Sequence, residues 1–389
     1  MPAGRDAATV SEMSAQETAG RVAVPFLDLA PIHAPLRDAV LRDIGALFDQ
    51  GAFTNGPPVT QFEAAFAAYC GVDHCVGVAS GLDALRLGLL AAGLEPGDEV
   101  VVPAATFVAT LEAVTQAGGV PVLADVSEED YGLDPAAAAV GVGPRTRALM
   151  PVHLYGQMAN LRALEALADE KGLALVEDAC QAHGAERDGM RAGSGGVAAA
   201  FSFYPGKNLG AAGDAGAFVS NDGEVASRVR ALREHGQTAK YVHALEGWTA
   251  RLDTIQALVL SHKLPLLEGW NEQRRAAAAF YAEGLAGVGD LLLPAIASGS
   301  APVWHLYVVR TADPAALGLF LRERGIGTGR HYPDPVHLTE AYAGLGYRSG
   351  QFPVAEALSR ECLSLPIFPG ISTKQLDAVV DGVRSFFDG

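Results

Sequence analysis

The sequence predicts an α/β protein: a mostly parallel sheet covered on both faces by helices, followed by a smaller C-terminal α+β domain. Three observations carry that prediction. Short apolar, β-branched runs alternate with Ala/Leu-rich helical segments along most of the chain. The runs are continuously apolar rather than alternating, as strands are when both faces are buried. At 389 residues with 49% apolar content, the chain is long enough for a large core and a second lobe.

Seven runs read as strands: HCVGVAS (74–80), DEVVVPA (98–104), VPVLADV (120–126), RALMPVHLY (147–155), LALVEDA (173–179), AAAFSFY (198–204) and AGAFVSN (215–221). Between them lie amphipathic segments such as LDALRLGLLAAG and NLRALEALADEKG. A long helical stretch follows over 251–285, and VWHLYVVRT, ALGLFLRERG and STKQLDAVVDGVRSFF then suggest the C-terminal lobe. The expected organisation is a disordered tail at 1–22, an N-terminal segment at 23–50, a large domain at 51–270 and a small domain at 271–389. A linker is expected near 286–303, and there is no internal repeat.

Composition narrows the function. A formal charge of −17, with no run of Lys or Arg, argues against a phosphate-backbone binder. Cys70, Cys75, Cys180 and Cys362 lack metal-ligand spacing and read as buried, reduced thiols. No metal site is expected. The first 20 residues lack the apolar core of a signal peptide, and no uninterrupted apolar stretch is long enough to span a bilayer. The expectation is a soluble cytoplasmic protein, with no nucleic-acid or membrane partner.

In open α/β sheets ligands sit at the carboxyl ends of strands. Four segments place distinctive chemistry there. ASGLDAL (79–85) is a strand end, a Ser-Gly turn and a helix start, whose backbone amides at Gly81 and Leu82 could cradle a phosphate. A plain N-capped helix is the alternative there. PAATFVAT (103–110) puts Phe107 just past a strand, as a flat face for a planar ring or as packing under a loop.

LVEDACQAHGA (175–185) brings Asp178 to the mouth of the sheet, with Gln181 three residues on. A carboxylate there needs a cation or donors, unless it simply caps a helix. His183 reads as structural. FSFYPGKNLGAAGDAGAFVSND (201–222) combines the Ser202 hydroxyl with Lys207 in a tight, glycine-rich turn. A lysine in surroundings of low polarity loses proton affinity and becomes an amine nucleophile. An exposed loop lysine is the alternative.

The four together describe one ligand: planar, anionic at one end, with a ring nitrogen opposite a carboxylate and a carbonyl that condenses with an amine. Pyridoxal 5′-phosphate fits that description, with Lys207 as its Schiff-base partner.

These motifs, with LEPGDEVVVPAATFVAT and MPVHLYGQMANL, closely resemble the DegT/DnrJ/StrS-type sugar-nucleotide aminotransferases. The resemblance extends from about Pro25 to the C-terminus and implies the fold-type-I, aspartate aminotransferase-like architecture. It implies that Lys207 binds the cofactor covalently and Asp178 meets the pyridine nitrogen. It further implies that Gln181 contacts the ring hydroxyl, Phe107 stacks on the ring, and Gly81, Leu82 and Ser202 hold the phosphate. Members in which His replaces the lysine are dehydratases, so Lys207 favours transamination. FYPGKNLG, KYVH and HYPDPVHL resemble relatives acting on 3-keto-6-deoxyhexoses, which implies that Tyr204, Lys240, Tyr241, His331 and Tyr332 face the substrate. His305 and His337 read as structural.

Two positions depart from the family pattern. Thr249 stands where the family carries an Asn that reaches the neighbouring subunit's phosphate site, and it offers one donor in place of two. Leu82 stands where the family has Thr, which leaves only the backbone amide.

The resemblance implies a homodimer with shared active sites. It also implies a nucleotide-linked substrate, a dTDP-3-keto-6-deoxyhexose, and glutamate as amino donor. Amination at the 4-position or of a cyclitol ketone differs only in pocket shape. A non-catalytic PLP-binding regulator would be expected to lack the lysine or add a DNA-binding segment. A Rossmann module would carry GxGxxG where this chain has ASGLDAL.

Overall fold

The structure, a computed structural model, describes residues 23–389. The expected tail at 1–22 lies outside the described residues. All seven expected runs form strands of one sheet: β1 (His74–Val78), β2 (Glu99–Pro103), β3 (Val120–Ala124), β4 (Thr146–Leu149), β5 (Ala174–Asp178), β6 (Ala198–Ser202) and β7 (Gly216–Ser220). Their spatial order is β1-β7-β6-β5-β4-β2-β3. Only β7 runs antiparallel to its neighbours; Ala199 pairs with Val219 on one side and His74 with Ser220 on the other. The parallel strands therefore direct their carboxyl ends to one edge, where the loops after β1, β2, β5 and β6 meet.

Helices cover both faces because the strands are apolar on both. Gly81–Ala91, Ala109–Gln116 and Gly223–Leu232 pack on one side, around Leu85, Leu89, Val114 and Val229. Pro57–Cys70, Leu161–Lys171 and Thr254–Lys263 pack on the other, around Phe62, Phe66, Leu164 and Leu260. The helix after β1 starts where Ser80 Oγ accepts the Asp83 amide at 3.0 Å. That bond fixes the direction in which the helix leaves the strand.

The expected long helix is interrupted. Thr254–Lys263 ends in a 3₁₀ turn, Leu264–Leu266, before Leu267–Gly284 resumes. Pro265 lacks the amide an uninterrupted helix would need and its ring crowds the preceding turn. The 270/271 boundary read from sequence falls within Leu267–Gly284.

The segment expected as a linker is tied down. Ser300–Ala301 pairs with Glu186–Arg187, and Leu292 bridges to Arg310. Beyond it, Tyr307–Arg310 (β8) pairs with Cys362–Leu365 (β9). A separate apolar cluster of Tyr281, Tyr307, Leu321, Leu363 and Val383 lies beneath Pro314–Glu323 and Thr373–Phe387. Strand β9 and the helix before it, Pro353–Glu361, were not anticipated. Their apolar run is short and lacks the Gly/Asn punctuation that marks the earlier strands. No helix among the described residues is long and apolar enough to cross a membrane.

Candidate active site

At the carboxyl edge of the sheet lies a cavity of about 570 Å³. It is bordered by Gly81, Leu82, Phe107, Asp178, Gln181, Ser202, Tyr204, Lys207, His331 and Tyr332. Ten of the expected site residues thus converge from five separate segments.

Asp178 is the last residue of β5 and only 6% exposed. Thr110 Oγ1 donates to its Oδ2 at 2.8 Å, and the Cys180 amide donates to Oδ1 at 3.2 Å. Thr106 Oγ1 lies 2.6 Å from Thr110 Oγ1, extending the network by one hydroxyl. Asp178 forms no ion pair among the described residues. A carboxylate so enclosed, held by neutral donors and turned to a cavity, is suited to a cationic ligand group.

Lys207 sits in the turn after β6, closed by its own amide donating to the Tyr204 carbonyl at 2.8 Å. The turn is anchored below by Asn208, whose Nδ2 donates to Asn271 Oδ1 and the Val303 carbonyl, both at 2.9 Å. Gly210 allows the chain to double back, since a Cβ there would lie 2.3 Å from the Pro205 carbonyl oxygen. Burial pulls the Lys207 ammonium below its ordinary value, against the opposing effect of Cys180 and Asp178. Its amine makes no hydrogen bond among the described residues.

Opposite, the helix Gly81–Ala91 points its first amides at the cavity. Ser80 Oγ takes the Asp83 amide, and the first intrahelical bond runs from Ala84 to Ser80, which leaves Gly81 and Leu82 as donors. A Cβ at Gly81 would lie 2.7 Å from both Cys180 Sγ and Ser202 Cβ. Glycine is what lets the amide reach the cavity beside Ser202.

The aromatic and polar walls are ordered by mutual contacts. Phe107 is 50% exposed, and its ring lies 5.4 Å from that of Tyr332 at 37°. Gln181 Nε2 donates to Tyr332 Oη at 3.1 Å while its Oε1 accepts the Tyr155 amide at 2.7 Å. His331 stacks on Phe26 and shares a hydrogen bond with Ser364 Oγ at 2.8 Å. Burial, then Lys207, pulls His331 down to about 4, so its ring is neutral. Burial likewise raises the Tyr332 phenol, which stays protonated.

Three expected residues do not border the cavity of this chain. Lys240 and Tyr241 lie exposed at the hairpin joining Gln237–Ala239 to Val242–His243, with the ammonium 5.4 Å from the Tyr241 ring. Thr249 is exposed, and its hydroxyl meets His235 Nε2 at 3.1 Å.

Sequence reasoning missed others. Phe26, Thr106, Cys180, Asp214, Arg274 and His305 also border the cavity. Thr106 and Thr110 could have been found from their spacing of four, which puts them on one side of the turn that enters the helix. His305, read as structural, and Cys180, read as a buried reduced thiol, both border the cavity; Cys180 is unpaired as expected but only half-buried. The reading holds for His183 and His337. His183 is enclosed between Phe201 and Phe203, and His337 is buried against Glu356 at 3.2 Å.

Pyridoxal phosphate fits this arrangement on observations internal to the chain. There is a buried carboxylate without an ion-pair partner among the described residues, a glycine-lined pair of free helix amides beside a hydroxyl, and an amine with depressed proton affinity bordering the same cavity.

The comparisons with known proteins agree. The DegT/DnrJ/EryC1/StrS aminotransferase family matches residues 36–384. The dTDP-3-amino-3,4,6-trideoxy-alpha-D-glucose transaminase of Streptomyces venezuelae is 49% identical over 363 residues, which is 93% of this chain and 96% of that protein. The X-ray crystal structure of S. venezuelae DesV in complex with a ketimine intermediate superposes with a TM-score of 0.92 at 48% identity, covering 94% of this chain and 99% of that one. The crystal structure of NtdA from Bacillus subtilis with bound cofactor PMP gives 0.89 at 29% identity, covering 96% and 87%. Its sheet topology, the site at the sheet's carboxyl edge and these similarities place the chain in one group: it belongs to the DegT/DnrJ/EryC1/StrS aminotransferase family, with a fold-type-I architecture.

Proposed function

We propose that this chain is a pyridoxal phosphate-dependent aminotransferase that converts the ketone of a dTDP-3-keto-6-deoxyhexose to an amine, with glutamate as donor. The observation that carries the reading is the meeting of Lys207, Asp178 and the Gly81–Leu82 amides around one cavity. The S. venezuelae relative, named for a dTDP-3-amino sugar, supports carbon 3 and the dTDP-linked class. Amination at carbon 4 or of a cyclitol ketone is the competing outcome. The reading includes a homodimer in the cytoplasm, with a cofactor domain at 51–270 and a small domain at 271–389.

Pyridoxal phosphate, when bound, supplies a conjugated ring that accepts the electron pair released on breaking a carbon–hydrogen bond beside its nitrogen. Asp178 would meet the ring N–H, and Thr110 and the Cys180 amide keep its carboxylate turned that way. Gly81, Leu82 and Ser202 would hold the phosphate, Phe107 would cover one ring face and Gln181 would meet the ring hydroxyl. Lys207 Nζ has lost proton affinity through burial. It can therefore take a proton from the donor's α-carbon and return one across a short distance. Neutral His331 and protonated Tyr332 offer hydrogen bonds to sugar hydroxyls without adding charge. Lys240, Tyr241 and Thr249 would act on the neighbouring subunit's site, where Lys240 would meet the substrate diphosphate.

The test is incubation of purified protein, pyridoxal phosphate and glutamate with a panel of nucleotide-linked 3-keto and 4-keto sugars, read by mass and NMR. The expected product is the 3-amino sugar. Borohydride reduction should fix the cofactor to Lys207 alone. Failure to aminate any keto-sugar, or a label on another lysine, overturns the reading.

A further inference from the structure

We propose that Asp125 and Arg330 are positioning residues for substrate binding: they clamp the helix Pro353–Glu361 at its two ends, and that helix holds in place the cavity segment carrying His331 and Tyr332. The proposal rests on the reading above that these two side chains face the nucleotide sugar. Neither clamp residue borders the cavity itself. The helix begins without a cap of its own. Phe352 at the N-cap position offers no side-chain acceptor, and Pro353 has no amide. The next two amides, Val354 and Ala355, donate instead to Asp125 Oδ2 and Oδ1, each at 3.0 Å. Asp125 directly follows β3, the edge strand of the large sheet. The Leu123 amide of that strand donates to Tyr347 Oη at 3.0 Å, so the chain leading into the helix is fastened to the same strand.

At the other end Arg330 Nη2 donates to the carbonyls of Ser359 at 2.5 Å and Arg360 at 2.9 Å. A carboxylate at the first turn and a guanidinium at the last both complement the helix dipole. Arg330 immediately precedes His331 and Tyr332. Further along, buried His337 meets Glu356, in the first turn of the helix, at 3.2 Å. Both ends of the segment 330–337 are therefore tied to one helix, running antiparallel to it. Glu356 and Ser359 lie about 5 Å apart along the axis. The segment could span about 23 Å if extended, so it must fold back between its anchors. His331 and Tyr332 lie in that fold and border the cavity. Strand β9 completes the support: Gly329 exchanges backbone bonds with Ser364, whose Oγ shares a hydrogen bond with His331.

The clamp separates two tasks of the cavity. Lys207, Asp178 and the Gly81–Leu82 amides stand on turns of the large sheet and make no contact with this helix among the described residues. His331 and Tyr332 can hydrogen-bond a sugar only while their segment stands in the wall. Apparent affinity for the sugar then falls with the fraction of time the helix is unseated. Gln181 and Tyr155 hold the same segment from the sheet side, at the Tyr332 hydroxyl and the His331 carbonyl. Loss of one clamp therefore loosens the wall without removing it.

The experiment uses the holoenzyme with Asp125→Ala, Asp125→Asn and Arg330→Met. Hydrogen–deuterium exchange read by mass spectrometry follows peptides over 328–338 and 353–365, with 81–91 as the internal reference. Asp125→Ala and Arg330→Met should speed exchange in the first two about fivefold, the effect of one lost helix cap, and leave the reference unchanged. Asp125→Asn keeps an acceptor for the helix amides and should lie nearer the parent. Kinetics are then measured with the nucleotide-linked 3-keto sugar that the parent aminates. The sugar KM should rise about fivefold in Asp125→Ala and Arg330→Met, while cofactor retention and the half-reaction with L-glutamate stay within about twofold of the parent. Unchanged exchange over 328–338, or an equal rise over 81–91, would overturn the assignment, as would equal losses with sugar and glutamate. Should Arg330→Met fail to fold, the two Asp125 variants decide. If the parent aminates no keto-sugar, the function proposed above falls, and exchange over 328–338 still decides whether the clamp holds the segment.

Discussion

Lys263→Met asks whether a buried cation pins the turn that carries Lys207. Lys263 ends the helix Thr254–Lys263 and is 1% exposed. Its Nζ donates to the Gly210 carbonyl, three residues beyond Lys207, and meets His33 Nε2 at 3.1 Å. The Trp270 ring lies 6.0 Å away, and no carboxylate pairs with the ammonium among the described residues.

Burial lowers this lysine from 10.5 to about 8. A displacement of that size corresponds to about 3 kcal/mol. The folded state then binds fewer protons at Lys263 than the unfolded chain between those two values. Stability from this group is therefore lowest below about pH 8, rises with pH across the window, and reaches its full value above 10.5. Buried thiols and tyrosines such as Cys70 and Tyr281 are raised and act in the opposite sense, so the parent alone cannot report on Lys263. The difference between parent and Lys263→Met can. Urea unfolding of the apoprotein at about pH 7 and about pH 10.5 should show the parent gaining about 3 kcal/mol more than the variant.

At neutral pH the two should lie close together. Relief of the buried charge is offset by leaving the Gly210 oxygen unpaired, which costs about 1–3 kcal/mol. Cofactor retention should nevertheless fall in the variant, because the Lys207 turn has lost one of its anchors. Stability curves that run parallel with pH, differing in slope by less than about 1 kcal/mol across the window, would refute the reasoning.

Other outcomes follow from the site. Asp178→Asn should slow turnover at least about a hundredfold, roughly 3 kcal/mol of transition-state stabilisation, and near-normal turnover would place the ring carboxylate elsewhere. Thr110→Val removes a bond to that carboxylate and should destabilise the apoprotein by about 2 kcal/mol in urea unfolding, whereas Thr110→Ser should restore it. Gly81→Ala forces a Cβ to within 2.7 Å of Cys180 Sγ and Ser202 Cβ. It should weaken pyridoxal phosphate retention by about tenfold on spectroscopic titration, the range expected for overpacking. Mixed Lys207→Ala and Lys240→Ala chains should regain activity if subunits share sites, and no recovery from chains shown to exchange would exclude that.

Much of the fold was legible because its signals are local. The seven strand runs are apolar, β-branched and punctuated by Gly, Asn and Asp, and six became strands at nearly the expected positions; the run read over 147–155 is strand only to Leu149 and ends in a 3₁₀ turn, Leu154–Gly156. Lys207, Asp178 and the Gly81 turn were legible for a related reason. Each breaks the local rule, placing a charge or a bare backbone at a strand end where packing alone would put neither.

The rest depended on contacts between segments remote in sequence. Nothing near Arg274 in the chain signals a cavity, since it lies on an amphipathic helix with Arg275 as an ordinary surface neighbour. Its position became meaningful only when Trp304, His305 and Ile367 closed around it. Pro265 was visible throughout, but that the chain passes through one 3₁₀ turn there and resumes as a helix was seen only in the structure. The exposed Lys240, Tyr241 and Thr249 mark the opposite limit: their residue types were read from sequence, and a single folded chain leaves them outside the lining of its own cavity. Sequence thus determined the strands, the helix caps and the chemically distinctive residues, because propensity and local hydrogen bonding act over a few positions. The tertiary structure decided which of those residues share a site, because desolvation and charge depend on what packs around a group rather than on what adjoins it in the chain.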